Sequence, residues 1–316
     1  MKGSSAQNMW SAVERRDVRE RLREDQRRRS TLGPRQRSAL DGLVHALKPD
    51  SMNRAYPERQ LLAYDLGSVR VPPSAVVAVG EPENATQMTW QVSGMGIFVH
   101  TAMWGSVREA GQLWAAQQEA GAERPCVVAW LGYHPPGPWG ALTGRIALRG
   151  GARLARHVEG WFNYRDRLAG PRPYTALEAH SYGTLVAARA LQILQRREPP
   201  LSLDALVVSG AVGLPRELAG APGALGLRED QVFSALAETD YLSRAGLWLS
   251  RRRPWEPATR LDVRADERRR LAGVVGHNTS RHRPGAGLFG RGHGYRDVGT
   301  ASLHWAARAT AGLPLD

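Results

Sequence analysis

The sequence predicts an α/β fold: a mostly parallel sheet flanked by helices, preceded by a charged N-terminal helical arm. Three observations carry this. Short apolar runs alternate with longer amphipathic stretches from residue 60 to the end, the pattern of strands buried between helices. The first sixty residues have a different texture, dominated by Arg, Glu and Asp. No apolar run reaches the 18 or more residues of a membrane-spanning helix, and 42% hydrophobic residues are too many for a disordered chain.

The elements follow in order. SAVERRDVRERLREDQRRRS reads as an exposed helix with opposite charges three and four residues apart. TLGP breaks it, and RQRSALDGLVHAL places Leu40, Leu43, Val44 and Leu47 on one helical face. Ser51 to Pro57 reads as a linker, so the expected organisation is an arm over 1–60 and one domain over 61–316. LLAYDL (61–66) and AVVAVG (75–80) form an early hairpin, and TWQVSGMGI (89–97) is a strand ending in a Gly-containing loop. A helix follows around 103–120, then strand CVVAWLGY (126–133), closed by PPGP, and a helical pattern over 145–168. YTALEA (174–179), ALVVSGAVG (205–213) and the start of QVFSALAETD (231–240) are further strands; helices begin near Gly183 and at Ser302. In such sheets the functional groups lie at the carboxyl ends of the strands.

Composition narrows the function classes. The 316 residues carry a net charge of +13, yet Lys2 and Lys48 are the only lysines, so 41 of 43 basic residues are Arg. These are spread along the chain rather than gathered in a tract, which argues against nucleic acid as the partner and leaves a general affinity for anionic surfaces open. Cys126 is the single cysteine, in an apolar strand, so neither a disulfide nor a cysteine-based zinc site is expected. No metal-ligand spacing accompanies His134 or His180, and no phosphate-binding glycine loop occurs; no metal and no cofactor are expected. The N-terminus lacks a signal-peptide core, so a cytoplasmic location is expected.

The chemistry concentrates in YTALEAHSYGTLVAARAL. A strand runs into Ala179-His180-Ser181-Tyr182-Gly183 and a helix follows at once, which is the nucleophile-elbow pattern with Ala in the first glycine position. A serine on such a turn projects above the sheet, and the residues two before and two after it must be small. The helix N-terminus directs N–H groups toward developing negative charge. A nucleophilic serine needs a base and the base an orienting acid, in the chain order Ser, acid, His. Asp240 ends a strand and His293 lies before the last helix; both fit. Asp230, Asp262 and Asp266 are rival acids, and His277, His282 and His304 rival histidines, His277 the strongest. The oxyanion donors would be the N–H of Tyr182 and that of Met95 or Gly96 in the SGMG loop. Trp104, Trp114, Trp130, Trp139 and Trp161 either pack the core or line an acyl pocket, with core favoured.

These pieces together resemble an actinobacterial α/β-hydrolase family of largely unknown function, with a Gly-His-Ser-Tyr-Gly elbow. VVAWLGYHPP, EAHSYGTLVA, ALVVSGAVGLP and GHGYRDVGTASL are similar to its segments in the same order, over about Leu61 to Gly312. His134 stands where the family more often has Asp, and the stretch between Arg251 and His277 matches poorly. The resemblance implies the α/β-hydrolase fold and a site of Ser181, Asp240 and His293. The expected function is a serine hydrolase of esterase or lipase type, acting on a small-molecule or lipid-like acyl substrate. A non-catalytic binding protein of the same fold, or a basic protein docking on nucleic acid or an anionic surface, are the alternatives. Oligomeric state is not legible.

Overall fold

A computed structural model describes residues 9–49, 56–168, 170–280 and 292–315. His282, residues 1–8 of the arm and residues 51–55 of the expected linker lie outside these. Eight strands form one sheet: β1 (Arg59–Asp65), β2 (Ser74–Val79), β3 (Gln87–Val92), β4 (Pro125–Leu131), β5 (Tyr174–His180), β6 (Ala205–Ser209), β7 (Val232–Ala235) and β8 (Thr259–Arg260). Their spatial order is β1-β2-β4-β3-β5-β6-β7-β8. β1 and β2 are the hairpin and β2 runs antiparallel to β4; from β4 to β8 every pairing is parallel. The helices are α1 (Ala12–Arg27), α2 (Pro34–Ala46), α3 (Val99–Glu119), α4 (Pro138–Thr143), α5 (Arg145–Arg165), α6 (Gly183–Gln195), α7 (Tyr241–Ser250) and α8 (Ala301–Thr310). This is the mostly parallel, helix-flanked sheet of the α/β-hydrolase fold.

β2 shows why the strands read as continuous apolar runs. All six of its residues are buried, because alternate side chains point to opposite faces and both faces are covered. Val76 and Ala78 join Leu154, Val158 and Trp161 of α5 and Leu185 of α6. Ala75, Val77 and Val79 join Leu40 and Leu43 of α2, Val107 and Leu113 of α3 and Leu303 of α8.

The charged N-terminal helices pack on this body. Ser11 caps α1 by accepting the Glu14 N–H, and Val18 and Leu22 turn inward beside α2. Ahead of α1, fully buried Trp10 sits between Trp90 of β3 and Trp161 of α5, at ring-centroid distances of 5.4 and 4.8 Å. Asp25, buried within the otherwise charged α1, accepts the Tyr64 hydroxyl at 2.8 Å. Among the described residues, no helix is long and apolar enough to cross a membrane.

Candidate active site

The site is built where β5 ends. Ser181 follows the last residue of β5 with φ +54°, a left-handed conformation that costs a non-glycine residue about 1–2 kcal/mol. The strain is held from several sides. The Ser181 N–H donates to the Ser209 carbonyl of the neighbouring strand at 3.0 Å, and Thr184 Oγ1 donates to the Ser181 carbonyl at 2.7 Å. Tyr182 is buried, its hydroxyl accepting the Ala147 N–H at 3.1 Å. Gly183 opens α6 against the end of β3: a Cβ there would lie 2.7 Å from the carbonyl oxygens of both Val92 and Ser93. A side chain at this position would push the helix off the sheet and the serine off its turn.

Asp240 lies beyond β7, fully buried, where it caps α7 by accepting the Ser243 N–H at 3.0 Å. Its carboxylate also accepts the Ser243 hydroxyl at 2.9 Å and the Tyr295 hydroxyl at 2.8 Å. Burial works to raise its pKa, but the hydrogen bonds from His277 and the Ser243 N–H outweigh that and hold the carboxyl below the ordinary aspartate value.

The histidine between Asp240 and Ser181 is His277. Its Nε2 lies 2.8 Å from Ser181 Oγ, and its Nδ1 lies 2.9 and 3.0 Å from the two Asp240 oxygens. His293, expected at this point from its place before the last helix, is not the residue brought to Ser181. The reason is backbone pairing. The segment 292–296 runs beside 274–279: the Val275 N–H donates to the His293 carbonyl at 2.9 Å, and the Tyr295 and Arg296 N–H groups donate to the carbonyls of Asn278 and Thr279 at 3.1 and 2.8 Å. His293 thus uses its main chain to seat the strip that bears His277. Gly294 makes the approach possible, since a Cβ there would lie 2.3 Å from the Thr279 carbonyl oxygen.

The remaining candidates are accounted for. Asp230, Asp262 and Asp266 pair with Arg228, Arg264 and Arg269 at the surface. His304 lies within α8, edge-on to Trp305. His134 is exposed, beside Phe98. Trp130 and Trp161 are core residues, and Trp139 is 84% exposed.

A cavity of about 260 Å³ opens beside Ser181. Its walls include Ser93, Met95, Ile97 and Ala102, all on the side of the SGMG loop and α3, and Asn278, Thr279 and Ser280 after His277. Met95 lines it and Gly96 does not; none of the five tryptophans does. Glu109 of α3 and Arg296 also line it. Arg296 bridges two carboxylates, Glu109 at 2.9 Å and Glu178 of β5 at 2.6 Å, and Thr279 Oγ1 donates to Glu109 at 2.7 Å. Burial pushes the Glu178 pKa up, partly offset by Arg296. Burial alone would lower the Arg296 pKa, but the two carboxylates reverse it and keep the guanidinium charged. His180 completes the wall; burial, His277 and Arg296 hold its pKa well below the usual histidine value, so it is neutral. Among the described residues, no three His, Cys, Asp or Glu side chains gather so as to hold a metal ion.

Sequence reasoning missed Tyr295, Ser243, Glu109 and Arg296. Only Tyr295 and Arg296 carried a signal, as the Tyr-Arg pair directly after His293-Gly294.

Comparison with known proteins adds the family. Solved structures similar to this chain include a hyperthermophilic esterase from Pyrobaculum calidifontis, at 12% identity and TM-score 0.39, covering 96% of this chain and 98% of that one. A feruloyl esterase module from Clostridium thermocellum, complexed with sinapinate, matches at 12% identity and TM-score 0.40, over 65% and 74%. A fungal esterase from Rhizomucor miehei matches at 12% and 0.36, over 79% and 87%. Scores this low support nothing further. No curated protein matches the sequence. A family model described as alpha/beta hydrolase matches residues 70–247. With more than half its length so matched, the chain belongs to the alpha/beta-hydrolase family.

Proposed function

We propose that the protein is a serine acyl hydrolase of esterase type, with Ser181, His277 and Asp240 as its triad. The observation that carries this is the unbroken hydrogen-bonded chain from Ser181 Oγ through the His277 ring to the Asp240 carboxylate. His277 Nε2 takes the hydroxyl proton as Ser181 Oγ attacks the ester carbonyl. Asp240 keeps the Nδ1 proton in place and stabilises the imidazolium that forms. The N–H groups of Tyr182 and Met95 hold the oxyanion, the first being at the start of α6 and the second on the cavity wall. Collapse breaks the ester bond, and His277 gives its proton to the departing alkoxide. Water then attacks the acyl-serine by the same route, releasing the acid and restoring Ser181.

The cavity wall favours a compact, polar acyl group over a long aliphatic chain. Ser93, Asn278, Thr279, Ser280 and the Glu109–Arg296 pair line a space of about 260 Å³, beside Met95, Ile97 and Ala102. Thr279 is already bonded to Glu109, Glu109 to Arg296 and Ser280 to Arg108, so an alkyl chain there would strip water from a charged and hydroxylic wall and gain little from contact with it. Of the small-molecule and lipid-like acyl substrates expected from the sequence, the lipid-like one is thus the less suited.

The test is fluorophosphonate labelling of purified protein, wild type beside Ser181→Ala and His277→Ala. Labelling of the wild type alone is the expected result. A folded wild type that stays unlabelled, or a Ser181→Ala variant that still labels, would overturn the reading. Turnover of nitrophenyl methoxyacetate against nitrophenyl butyrate, each corrected for its hydroxide rate, then tests the acyl preference.

A further inference from the structure

We propose that the outward face of α4 and α7 docks on an anionic lipid surface. The observation behind it is a helix whose apolar stripe faces the wrong way. On α7, Tyr241, Ala245 and Trp248 recur at helical spacing, flanked by Leu242 and Leu249, and all five are exposed. Trp248 is 78% exposed and Tyr241 72%. The inward side of the same helix is carried by Ser243, buried on Asp240, and Leu247, which nears Gly213. An amphipathic helix ordinarily buries its apolar stripe. A stripe of this kind left in water marks an interaction surface.

The stripe does not stand alone. Arg252, two residues after α7, donates to the carbonyls of Ala141 and Leu142 in α4, at 2.7 and 3.2 Å. That bond joins α7 to the short helix carrying Trp139, which is 84% exposed. Leu148, on the first turns of α5, adds a further half-exposed aliphatic side chain.

Charge selects the occupant. Residues 134–158 and 241–255, which contain these elements, hold eight arginines and no Asp or Glu. Of these arginines, Arg145, Arg149, Arg244, Arg251 and Arg253 are exposed. Exposed Trp and Leu among arginines is the composition of a helix lying in a lipid headgroup region, where aromatics sit at the interface and guanidinium groups meet anionic headgroups. A second copy of the chain suits the face poorly, because a two-fold contact sets arginines against arginines. Single-stranded nucleic acid stacks on aromatics in a basic groove, whereas this stripe lies along an outward helix, its aromatics flanked by Leu242 and Leu249. α7 begins directly after Asp240, so one end of the docked helix lies next to the Ser181–His277–Asp240 chain.

The experiment is co-sedimentation of the full chain with vesicles of phosphatidylcholine alone, or with roughly a third phosphatidylglycerol. Binding only to the anionic vesicles, weakened by added salt, is expected. The double substitution Trp139→Ser and Trp248→Ser lowers the partition coefficient about tenfold or more. Because both side chains are exposed, its thermal unfolding midpoint stays near that of the wild type. Arg149→Glu with Arg244→Glu weakens the anionic preference by itself. The proposal is overturned by equal binding to both vesicles, by no binding, or by a tryptophan variant that binds like the wild type. It is also overturned if light scattering shows a dimer that the tryptophan variant loses, or if a single-stranded oligonucleotide binds more tightly than the vesicles through the same residues.

Discussion

The two ends of the Ser181–His277 hydrogen bond are held by opposite kinds of structure. Ser181 sits on a hinge between two long regular elements, β5 and α6, so its position follows from a handful of neighbours in sequence. His277 sits in a stretch with no helix and no strand, strapped from outside: Gly276 N–H to Thr239 Oγ1 at 2.8 Å, Val274 N–H to the Val263 carbonyl at 2.9 Å, and the Tyr295 and Arg296 N–H groups onto Asn278 and Thr279. The contrast teaches that a nucleophile can be placed by local strain, whereas a base on a loop is placed by the sum of many distant bonds. The serine end should tolerate change outside the turn; the histidine end should feel changes far along the chain.

The largest effects test whether the two ends form one unit. Ser181→Ala and His277→Ala are each expected to lower kcat by on the order of 10⁴ or more, and the double variant by hardly more than either. His293→Ala is expected to stay within a few-fold of the wild type, since it keeps the carbonyl that accepts the Val275 N–H and the histidine at Ser181 is His277. A folded His293→Ala protein as inactive as His277→Ala would break the assignment.

Gly294→Ala sharpens the contrast between the ends. The new methyl meets the Thr279 carbonyl oxygen and main chain, which must move. The expected outcome is a loss of about 10- to 100-fold in kcat through displaced His277, with Ser181 still on its turn. Tyr295→Phe comes next. It removes one donor to Asp240 and the acceptor of the Ala237 N–H, and about a tenfold loss in kcat with little change in KM is expected. A change confined to KM would show that Tyr295 supports substrate binding instead of the acid.

The same contrast explains what was legible in the sequence. The alternation of strands and helices, and the strand–Ser–helix turn, depend on residues close together in the chain; hydrophobic period and small flanking residues reveal them. Asp240 was read from its place at the end of QVFSALAETD; the strand itself stops earlier, at Ala235, and the helix cap that Asp240 forms went unread. The choice between His277 and His293 was not legible, because both lie in irregular chain and the answer depends on how 274–279 pairs with 292–296. The Glu109–Arg296–Glu178 cluster was hidden for a similar reason: its members come from α3, the C-terminal strip and β5, and one ion pair among so many arginines has no signature of its own. α4 and α7 went unread in the sequence; an amphipathic period ordinarily marks a buried stripe, and the apolar stripe of α7 faces out.

The smallest effect concerns two histidines on either side of this divide. His180 belongs to the elbow; His157 lies in α5, far from the chemistry, its Nδ1 3.0 Å from the Trp130 indole nitrogen. Burial, with nearby arginines, pushes the His157 pKa down to about 3, and that of His180 also falls well below 6.5. Both are therefore neutral in the fold and protonate near 6.5 once unfolded. Below pH 6.5 the unfolded chain binds protons that the folded chain refuses, so stability is full above that value and declines on acidification, for His157 down to about pH 3. Each histidine contributes a slope of about 1.4 kcal/mol per pH unit. Asp240, with its pKa held low, adds its own loss only below the ordinary aspartate range. Urea unfolding between about pH 7 and 4.5 reads the sum of the histidine slopes and an opposing one from Glu178, whose pKa burial raises, so the His157 share is the difference between wild type and variant. His157→Gln keeps an acceptor for the Trp130 N–H and removes one titration, so the slope should fall by one proton. An unchanged slope would mean that the folded protein admits a proton at His157, and with it water into the apolar layer between β4 and α5.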